Sequence, residues 1–362
     1  MNLLFLQYET ALGTAVNATP VFEAVKQAAP ACRVTVAASG PAAEVLRHNP
    51  HIDRLVSTPS VYGHWVAAAS RTFLLGLGET FDVCLTDSGN MRRRVVSLAF
   101  LSRARRRLGF TVAPRLYHEA LEREMDRSVR DDNLRLLGLL GLPDTRPEPR
   151  VYFSAGENAA AETLLRRHGI GEAPLALFVA RTSGGQPSEW FDDRFAAVAD
   201  HLAEKHGAMV AFVGSAAQSA GIEAVRALMR QSSVSLAGAT DILTLAALMC
   251  RADLVVTLDT GPMHMARAAG VPTVIIASAW QRAVEWLPLG VPHCLIVRRD
   301  DIPCRECYKT YCATHECMAE IDAQTVSRAV DLQWARHPPS AIERARRTGR
   351  NLSGRGVSHG GE

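Results

Sequence analysis

A polar turn between two apolar stretches carries the residues of this sequence best suited to binding a ligand. Asp259, Thr260 and Gly261 directly follow the apolar run Leu254–Leu258, and His264 comes about one helical turn later. Such a run is typical of a buried parallel strand, and a helix that starts just after it offers unpaired N–H groups and a partial positive charge to a phosphate. Asp259 could also accept hydrogen bonds from a sugar. The alternative is an ordinary strand–helix turn in which Asp259 caps the helix.

The residues on both sides of this turn predict a β-α-β unit. Pro262 suits the first turn of a helix, Gly270 suits its end, and residues 271–277 form a second apolar run. Another polar, glycine-containing loop, residues 180–190, follows the apolar stretch Leu175–Val179. Because open α/β sheets bind ligands at the carboxyl ends of their strands, we expect both loops to face a ligand.

The rest of the chain alternates apolar and helical patterns, which predicts strands and helices in alternation. The first half begins with the apolar run Asn2–Gln7 and has another polar loop after a strand, at residues 86–90. The chain is therefore predicted to be an α/β protein with two Rossmann-like, doubly wound domains, residues 1–170 and 171–321, which hold a ligand between them. A helix at 322–337 follows, and residues 338–362, rich in Arg, Gly and Ser, are expected to be a disordered tail.

Composition excludes several functional classes. The chain has 362 residues, of which 48% are apolar, and its formal net charge is +3. This charge is too small to indicate nucleic-acid binding, and no apolar run reaches the roughly 18 residues that a membrane-spanning helix needs. The first residues contain no basic segment and no small-residue cleavage site. We therefore predict no signal peptide and a cytoplasmic location.

Four cysteines cluster near the end of the second half. Cys304, Cys307, Cys312 and Cys317 lie within one short segment, and His315 could replace one of them as a ligand. Their spacing could form a structural zinc or iron site, which would brace the loop. Paired or free thiols are the alternative, although a structural disulfide is not expected in a cytoplasmic protein.

Two groups of arginines lie in the first half. Arg92, Arg93 and Arg94 form one group, and the other lies within residues 103–107. A solvated helix face would explain both groups. The functional interpretation is contact with an anionic ligand or an anionic membrane surface.

The order and spacing of several short motifs resemble glycosyltransferase family 9, the lipopolysaccharide heptosyltransferases, over most of the chain up to about residue 335. The most specific motif is the turn 259–264. The others are Leu12-Gly13 with residues 18–20, then residues 49–53, 89–92 and 133–137, and the cysteine segment. The resemblance implies a GT-B fold, in which two Rossmann-like domains face a central cleft. It also implies that the helix at 322–337 returns to the first domain.

The reaction implied by this resemblance is an inverting transfer of heptose from ADP-heptose to a hydroxyl of a lipopolysaccharide core or related glycan, with no cofactor required for catalysis. The implied donor-binding residues are Gly13, Thr182, Ser183, Ser188, Asp259, Thr260, Gly261 and His264, and Arg92 is the implied acceptor-binding residue. A peripheral contact with the inner membrane is a further expectation. Two alternatives stay open: another acceptor, including a protein hydroxyl, and a catalytically silent relative that binds a nucleotide sugar.

The sequence departs from the family pattern at the general base. The family has an aspartate directly after the glycine of the first turn, where this chain has Thr14, whose hydroxyl does not take up a proton at neutral pH. Glu9 lies in the same turn and is the first candidate base, with a solvated loop carboxylate as its alternative role. Asp87, at the carboxyl end of another strand, is the reserve candidate. The candidate catalytic set is therefore Glu9, Thr14 and Asp87.

A second departure lies in the loop 180–190, two residues before Trp190. The family commonly has a lysine or arginine there that binds phosphate, whereas this chain has Ser188. Arg181 or Arg282 could take over that role.

Overall fold

The computed structural model describes residues 1–8, 11–89, 91–171, 173–183 and 188–353. The chain divides into two compact units, Met1–Tyr152 and Phe153–Leu352, and each unit is built on one six-stranded parallel sheet within the described residues. The division lies at residue 152, earlier in the chain than the expected boundary at 170.

The first unit contains strands and helices in the predicted alternation. Its strands are β1 (Asn2–Gln7), β2 (Arg33–Ala38), β3 (Arg54–Ser57), β4 (Val83–Thr86), β5 (Arg106–Phe110) and β6 (Glu119–Leu121). Its helices are α1 (Leu12–Ala28), α2 (Pro41–Leu46), α3 (Trp65–Gly78), α4 (Arg93–Leu101), α5 (Val129–Leu134) and α6 (Leu136–Leu139). The strand order is β3-β2-β1-β4-β5-β6.

Apolar residues on both faces of β1 explain its central place in this sheet. Leu4, Phe5 and Leu6 have no exposed surface, and β1 pairs in parallel with both β2 and β4. The helix α1 continues through Pro20, and its Phe22 ring meets the Phe5 ring edge-on at 5.0 Å. The helix is therefore unbroken at a residue that usually interrupts helices, and it packs against the central strand.

The second unit repeats this alternation. Its strands are β7 (Leu175–Val179), β8 (Met209–Phe212), β9 (Ser233–Ser235), β10 (Leu254–Leu258), β11 (Thr273–Ala277) and β12 (Cys294–Arg298). Its helices are α7 (Ala155–Arg167), α8 (Asp192–His206), α9 (Ser219–Ala227), α10 (Ile242–Arg251), α11 (Gly261–Ala269), α12 (Ala283–Trp286), α13 (Glu316–Ala319), α14 (Ala323–Arg336) and α15 (Ala341–Asn351). The strand order is β12-β11-β10-β7-β8-β9, so the prediction of two doubly wound parallel sheets is confirmed.

The helix α14 belongs to the second unit, which differs from the expected return to the first domain. It packs against α8, β11 and β12. Val326 and Val330 have no exposed surface and lie in the hydrophobic core of that unit. The apolar face of α14 is therefore buried against the sheet whose strands precede it in the chain. The helix α7 also belongs to this unit, because it packs on α10, and this moves the boundary to residue 152.

Residues 341–351, within the segment expected to be disordered, form the helix α15. Ser340 caps its start by accepting a hydrogen bond from the Glu343 N–H at 3.3 Å. Arg347 is 8% exposed and donates to the backbone oxygens of Cys250 at 3.2 Å and Ala252 at 2.5 Å. The arginines that made the segment look disordered are therefore the side chains that attach it, because they satisfy carbonyls at the end of α10. Residues 354–362 lie outside the described residues.

None of the helices within the described ranges combines the length and the apolar composition needed to cross a membrane.

Candidate functional site

Both sheets place polar residues where their strand order reverses. Read from β9 to β12, the second sheet has the same order as the first, so β7 and β10 correspond to β1 and β4. The crevice between such strands is the usual ligand site of a doubly wound sheet. Asp87 directly follows β4 and Asp259 directly follows β10, so the two aspartates occupy equivalent positions.

In the second unit, the turn after β10 has the form that the sequence predicts. Thr260 is the N-cap of α11 with an extended backbone, and its side chain makes no capping hydrogen bond. Asp259 precedes the N-cap, so it is not the helix cap of the alternative interpretation. Gly270 ends the helix with φ 73°, the left-handed conformation that glycine adopts without strain. The start of α11 thus presents backbone N–H groups at the carboxyl edge of the sheet.

The carboxyl group of Asp259 is unusually basic for an aspartate. Burial raises its pKa to about 6, and the positive charge of Arg298 acts in the opposite direction. Arg298 ends β12, its side chain is 4% exposed, and its Nη2 donates to the backbone oxygen of Gln281 at 2.7 Å. Nε of Arg298 lies 2.8 Å from Oδ1 of Asp300. Sequence reasoning missed Arg298, because the signal for it is weak: a basic residue at the end of an apolar strand.

His264 lies inside the unit. It is 4% exposed, and its ring meets the Trp286 ring at 6.1 Å in a T-shaped arrangement. Burial lowers its pKa to about 3, with a further contribution from the charge of Arg267. The imidazole is therefore neutral at physiological pH, so His264 adds no positive charge to the site.

The loop after β7 lies beside this turn, because β7 pairs with β10 in parallel. The N–H and the hydroxyl of Thr182 both donate to Oε1 of Glu189, each at 3.3 Å. Ser183 is exposed and Ser188 is half-buried, while residues 184–187 lie outside the described residues. The adjacent strands thus place Thr182 and Asp259 at the same edge of the sheet, as the sequence predicts.

The two arginines considered as substitutes for a phosphate-binding residue differ in their surroundings. Nη2 of Arg181 donates to the backbone oxygen of Gly221 at 2.6 Å and lies 2.7 Å from Asp192 Oδ1. Its side chain is only 12% exposed, so it connects α8 and α9 of its own unit. Arg282 is 42% exposed, with its Nε 3.4 Å from Glu306 Oε2. Of the two, Arg282 has the more accessible guanidinium.

In the first unit, Thr14 and Asp87 both lie close to Gly89. A Cβ atom at Gly89 would stand 3.0 Å from Thr14 Cγ2 and 3.5 Å from Asp87 Oδ2. The Thr14 hydroxyl donates to the Ala11 backbone oxygen at 2.6 Å, and Gly13 is buried in the same turn of α1. The structure therefore brings together two of the three candidate catalytic residues.

Glu9, the third candidate, lies outside the described residues.

The loop that carries Asp87 is fixed by Asn133 of α5. Oδ1 of Asn133 accepts hydrogen bonds from the Ser88 N–H at 2.8 Å and the Ser88 hydroxyl at 2.9 Å. Asp87 itself is 1% exposed. Asn133 belongs to a motif of the resemblance but was not given a role. Its contacts identify it as the residue that positions the loop after β4.

Arg92 lies at the start of α4 and is exposed. It is the residue before the helix, and its guanidinium carbon stands 5.0 Å above the ring of Tyr62. This arrangement leaves the charge accessible to solvent while the ring holds the side chain.

The four clustered cysteines do not form a preassembled metal site. Among the described residues, no three of their sulfur atoms lie within 4.8 Å of one another. Cys304 is exposed, Cys307 and Cys312 are half-buried, and Cys317 is buried. Burial raises the pKa of Cys317, and the other three thiols add to the increase, which places all four in one neighbourhood.

The family model for glycosyltransferase family 9 (heptosyltransferase) matches residues 77–314. The chain is 22% identical over 291 residues to the lipooligosaccharide heptosyltransferase 2 of Haemophilus influenzae, a match that covers 76% of this chain and 83% of the relative. It is 26% identical over 148 residues to the lipopolysaccharide core heptosyltransferase OpsX of the same organism. That second match spans only 41% of the relative and 40% of this chain.

Solved structures of low sequence identity share the fold. A family 9 glycosyl transferase from Veillonella parvula superposes with a TM-score of 0.83 at 20% identity, covering 92% of this chain and 97% of that chain. The heptosyltransferase WaaC of Escherichia coli, solved with ADP, has a TM-score of 0.67 at 14% identity, covering 93% and 99%. The same protein has been solved with ADP-2-deoxy-2-fluoro heptose. These matches confirm the two Rossmann-like domains of the GT-B fold.

Proposed function

The chain belongs to glycosyltransferase family 9, and from this premise we propose that it transfers heptose from ADP-heptose to a hydroxyl of a lipopolysaccharide core or related glycan. The observation that carries the proposal is the edge of the second sheet. There a helix start, a carboxyl with a pKa of about 6 and the buried cation Arg298 lie together. The named relatives and the ligands of WaaC support the choice of donor.

The proposed donor site uses the α11 turn for the diphosphate. When the glycosidic bond breaks, the leaving ADP gains negative charge, and the N–H groups of the turn with the charge of Arg298 stabilise it. At pH 7.5 the carboxyl of Asp259 is ionised, since its pKa is about 6. It then accepts hydrogen bonds from hydroxyl groups of the nucleotide sugar. Thr182, Ser183, Ser188 and Gly13 remain proposed contacts of the donor.

The proposed general base is Asp87. An inverting transfer needs a group that removes the proton of the acceptor hydroxyl on the side opposite the leaving group. Thr14 donates its own hydroxyl to Ala11, so it does not serve. Asp87 lies next to Thr14, which occupies the family's base position, and this closeness supports the assignment. Glu9 stays the second candidate, and Arg92 is the proposed contact of an anionic acceptor.

A donor screen tests the proposed reaction. Purified protein is incubated with ADP-heptose, other ADP-sugars and UDP-sugars, with a core oligosaccharide or a protein as acceptor, and release of the nucleotide is measured. We expect release that depends on ADP-heptose and on the oligosaccharide. Transfer to the protein alone would support the other acceptor class, and binding of a nucleotide sugar without any turnover would support the silent relative.

A face on α3 and α4 is the proposed contact with the inner membrane. Val66, Leu74 and Leu77 on α3 and Phe100 on α4 are each more than half exposed. The guanidinium of Arg107 lies 5.3 Å from the centre of the Phe100 ring, so a cation borders the apolar surface. Exposed apolar side chains beside cations suit an anionic lipid surface.

The protein should sediment together with vesicles that contain phosphatidylglycerol. Leu74→Glu should lower its affinity for the vesicles at least about tenfold, because the variant buries less apolar surface and adds a charge that the anionic lipids repel. Val112→Glu, at an exposed apolar residue outside α3 and α4, is the control. Equal sedimentation of both variants would exclude this face.

The cysteine segment is the proposed place of a structural zinc or iron ion. The nearby sulfurs of Cys304, Cys307, Cys312 and Cys317 would have to close around the ion, since they are not preassembled among the described residues. The ion would brace the segment and take no part in transfer. Elemental analysis of purified protein should find metal, and Cys304→Ser should lower the metal content by roughly one ion per chain. Metal-free protein of unchanged stability would leave only thiols there.

A further inference from the structure

Two helices of the second unit bring two histidines and one aspartate to a common point. His201 and His206 lie on α8 and Asp331 lies on α14. Oδ1 of Asp331 is 2.9 Å from His201 Nε2 and 2.7 Å from His206 Nε2. Within the described part of the chain, this is the one group of three or more potential metal ligands whose ligand atoms all lie within 4.8 Å of one another.

We propose that His201, His206 and Asp331 form a binding site for a divalent transition-metal ion, with zinc as the natural choice. Two imidazole nitrogens and one carboxylate oxygen are ligands that zinc accepts at roughly 2.0–2.2 Å, in a tetrahedral arrangement. Tetrahedral ligand atoms at that radius stand about 3.3 Å apart, so the oxygen–nitrogen separations of 2.7 and 2.9 Å would widen by about half an ångström to admit the ion. The ion would replace the protons now shared between the imidazoles and the carboxylate, and water would complete the fourth position.

The surroundings of the three ligands hold them in place. The His206 ring stacks on the ring of Trp334, with centres 4.8 Å apart, and this fixes its orientation. Lys205 Nζ donates to Oδ2 of Asp331 at 2.7 Å, which leaves Oδ1 as the oxygen that faces the imidazoles. The side chains are 14–29% exposed, so an ion from solvent can reach them. The stacking on Trp334 orients His206 as outer contacts orient ligands in protein metal sites.

Lys205 also places a positive charge beside the proposed ion. Its side chain is 54% exposed and can swing away, but its charge lowers metal affinity while it remains on Asp331. The lysine therefore distinguishes a metal site from a simple ion-pair cluster. In a metal site, removal of the lysine charge should strengthen metal binding. In an ion-pair cluster around Asp331, the same change would only weaken the cluster.

The site would act as a clamp between α8 and α14. The two helices pack against each other, and the three ligands come from both. An ion held by both helices stabilises the folded unit by mass action, because the unfolded chain does not present the ligands together. The clamp therefore fastens α14 to the second unit from its solvent side, while Val326 and Val330 fasten it from the core.

The test uses the full chain with Cys304, Cys307 and Cys312 replaced by serine, so that thiols do not contribute. Metal-free protein is titrated with Zn²⁺ by calorimetry and with Co²⁺ by visible absorption. We expect roughly one ion per chain, a tetrahedral Co²⁺ spectrum, and a rise in Tm of several degrees with zinc. His206→Gln and His201→Gln should each lose at least about 100-fold in affinity. Lys205→Met should bind more tightly.

The matched control is His168→Gln, at an exposed histidine just after α7 in the same unit. It should bind zinc like the parent. Circular dichroism without metal shows whether each variant is folded, and His201 and His206 are changed separately so that one folding failure does not decide the result. Equal zinc affinity in His206→Gln and His168→Gln, or no binding at millimolar zinc, overturns the proposal.

Discussion

The edges of the two sheets carry equivalent aspartates in different surroundings. Asp259 is followed within two residues by the start of α11, so helix N–H groups lie beside it. Asp87 is followed by a loop that Asn133 holds, and α4 starts only at Arg93. The same strand order thus supports two kinds of site. A helix start suits the anionic part of the donor, whereas a carboxyl held next to Thr14 suits proton transfer.

Loss of the carboxylate in the first unit should have the largest effect. Asp87→Asn keeps the shape of the side chain but removes its ability to accept a proton, so we expect transfer to fall by roughly 10²–10⁴-fold. The affinity for ADP should not change, because the proposed ADP site lies in the second unit. Transfer rates and calorimetry with ADP separate the two effects. Full activity in Asp87→Asn would leave Glu9 as the base, with Glu9→Gln as the next variant.

Loss of the carboxylate in the second unit should instead weaken the binding of ADP. Asp259→Asn removes a charged acceptor, and hydrogen bonds to charged groups contribute about 1.5–3 kcal/mol. We therefore expect ADP to bind roughly 10–100-fold more weakly by calorimetry. Asp193→Asn, at an exposed aspartate in the same unit, is the matched control. Unchanged ADP affinity in Asp259→Asn would remove this turn from the donor site.

The same variant should make the protein more stable at neutral pH. The pKa of Asp259 is about 6 in the folded chain and 3.8 in the reference state. Between pH 3.8 and pH 6 the folded chain therefore binds more protons than the unfolded chain. Stability therefore falls as pH rises from about 4 to 6, and the ionised form is disfavoured above that range. Asp259→Asn should raise the free energy of unfolding by about 1–3 kcal/mol at pH 7.5.

The gain should be small near pH 4 and disappear near pH 3, where the wild-type carboxyl is mostly protonated in both states. Urea unfolding at pH 7.5 and near pH 3 measures this difference. A loss of stability in Asp259→Asn at pH 7.5 would instead indicate a structural role for the carboxylate.

The smallest expected effect on stability comes from a methyl group added at Gly89, close to Thr14 and Asp87. In Gly89→Ala the new methyl group would stand 3.0 Å from Thr14 Cγ2, so the neighbours must shift slightly. We expect a destabilisation of about 1 kcal/mol in thermal unfolding, together with a clear loss of transfer. Gly138→Ala is the control, because a Cβ there meets nothing within 4 Å. Similar activity of the two variants would separate the space at Gly89 from the acceptor site.

Apolar strands and the turns after them could be predicted from the sequence because burial on both faces leaves a plain pattern. β10, the turn 259–261 and α11 are where the pattern places them. The position of α14 could not be predicted, since an amphipathic helix does not show which sheet it covers. Arg298 was missed because an arginine at a strand end usually faces solvent, and its burial arises from contacts with Gln281 and Asp300.

The attachment of α15 has a consequence for how the chain is made. Phe153 pairs with Leu352, so the first and last residues of the second unit are neighbours. Arg344 and Arg347 supply partners for Asp253 and for the carbonyls at the end of α10. During synthesis the first unit can fold while the second is still emerging. Until its final helix has left the ribosome, the second unit lacks these contacts, so Asp253 and the carbonyls at the end of α10 have neither cation.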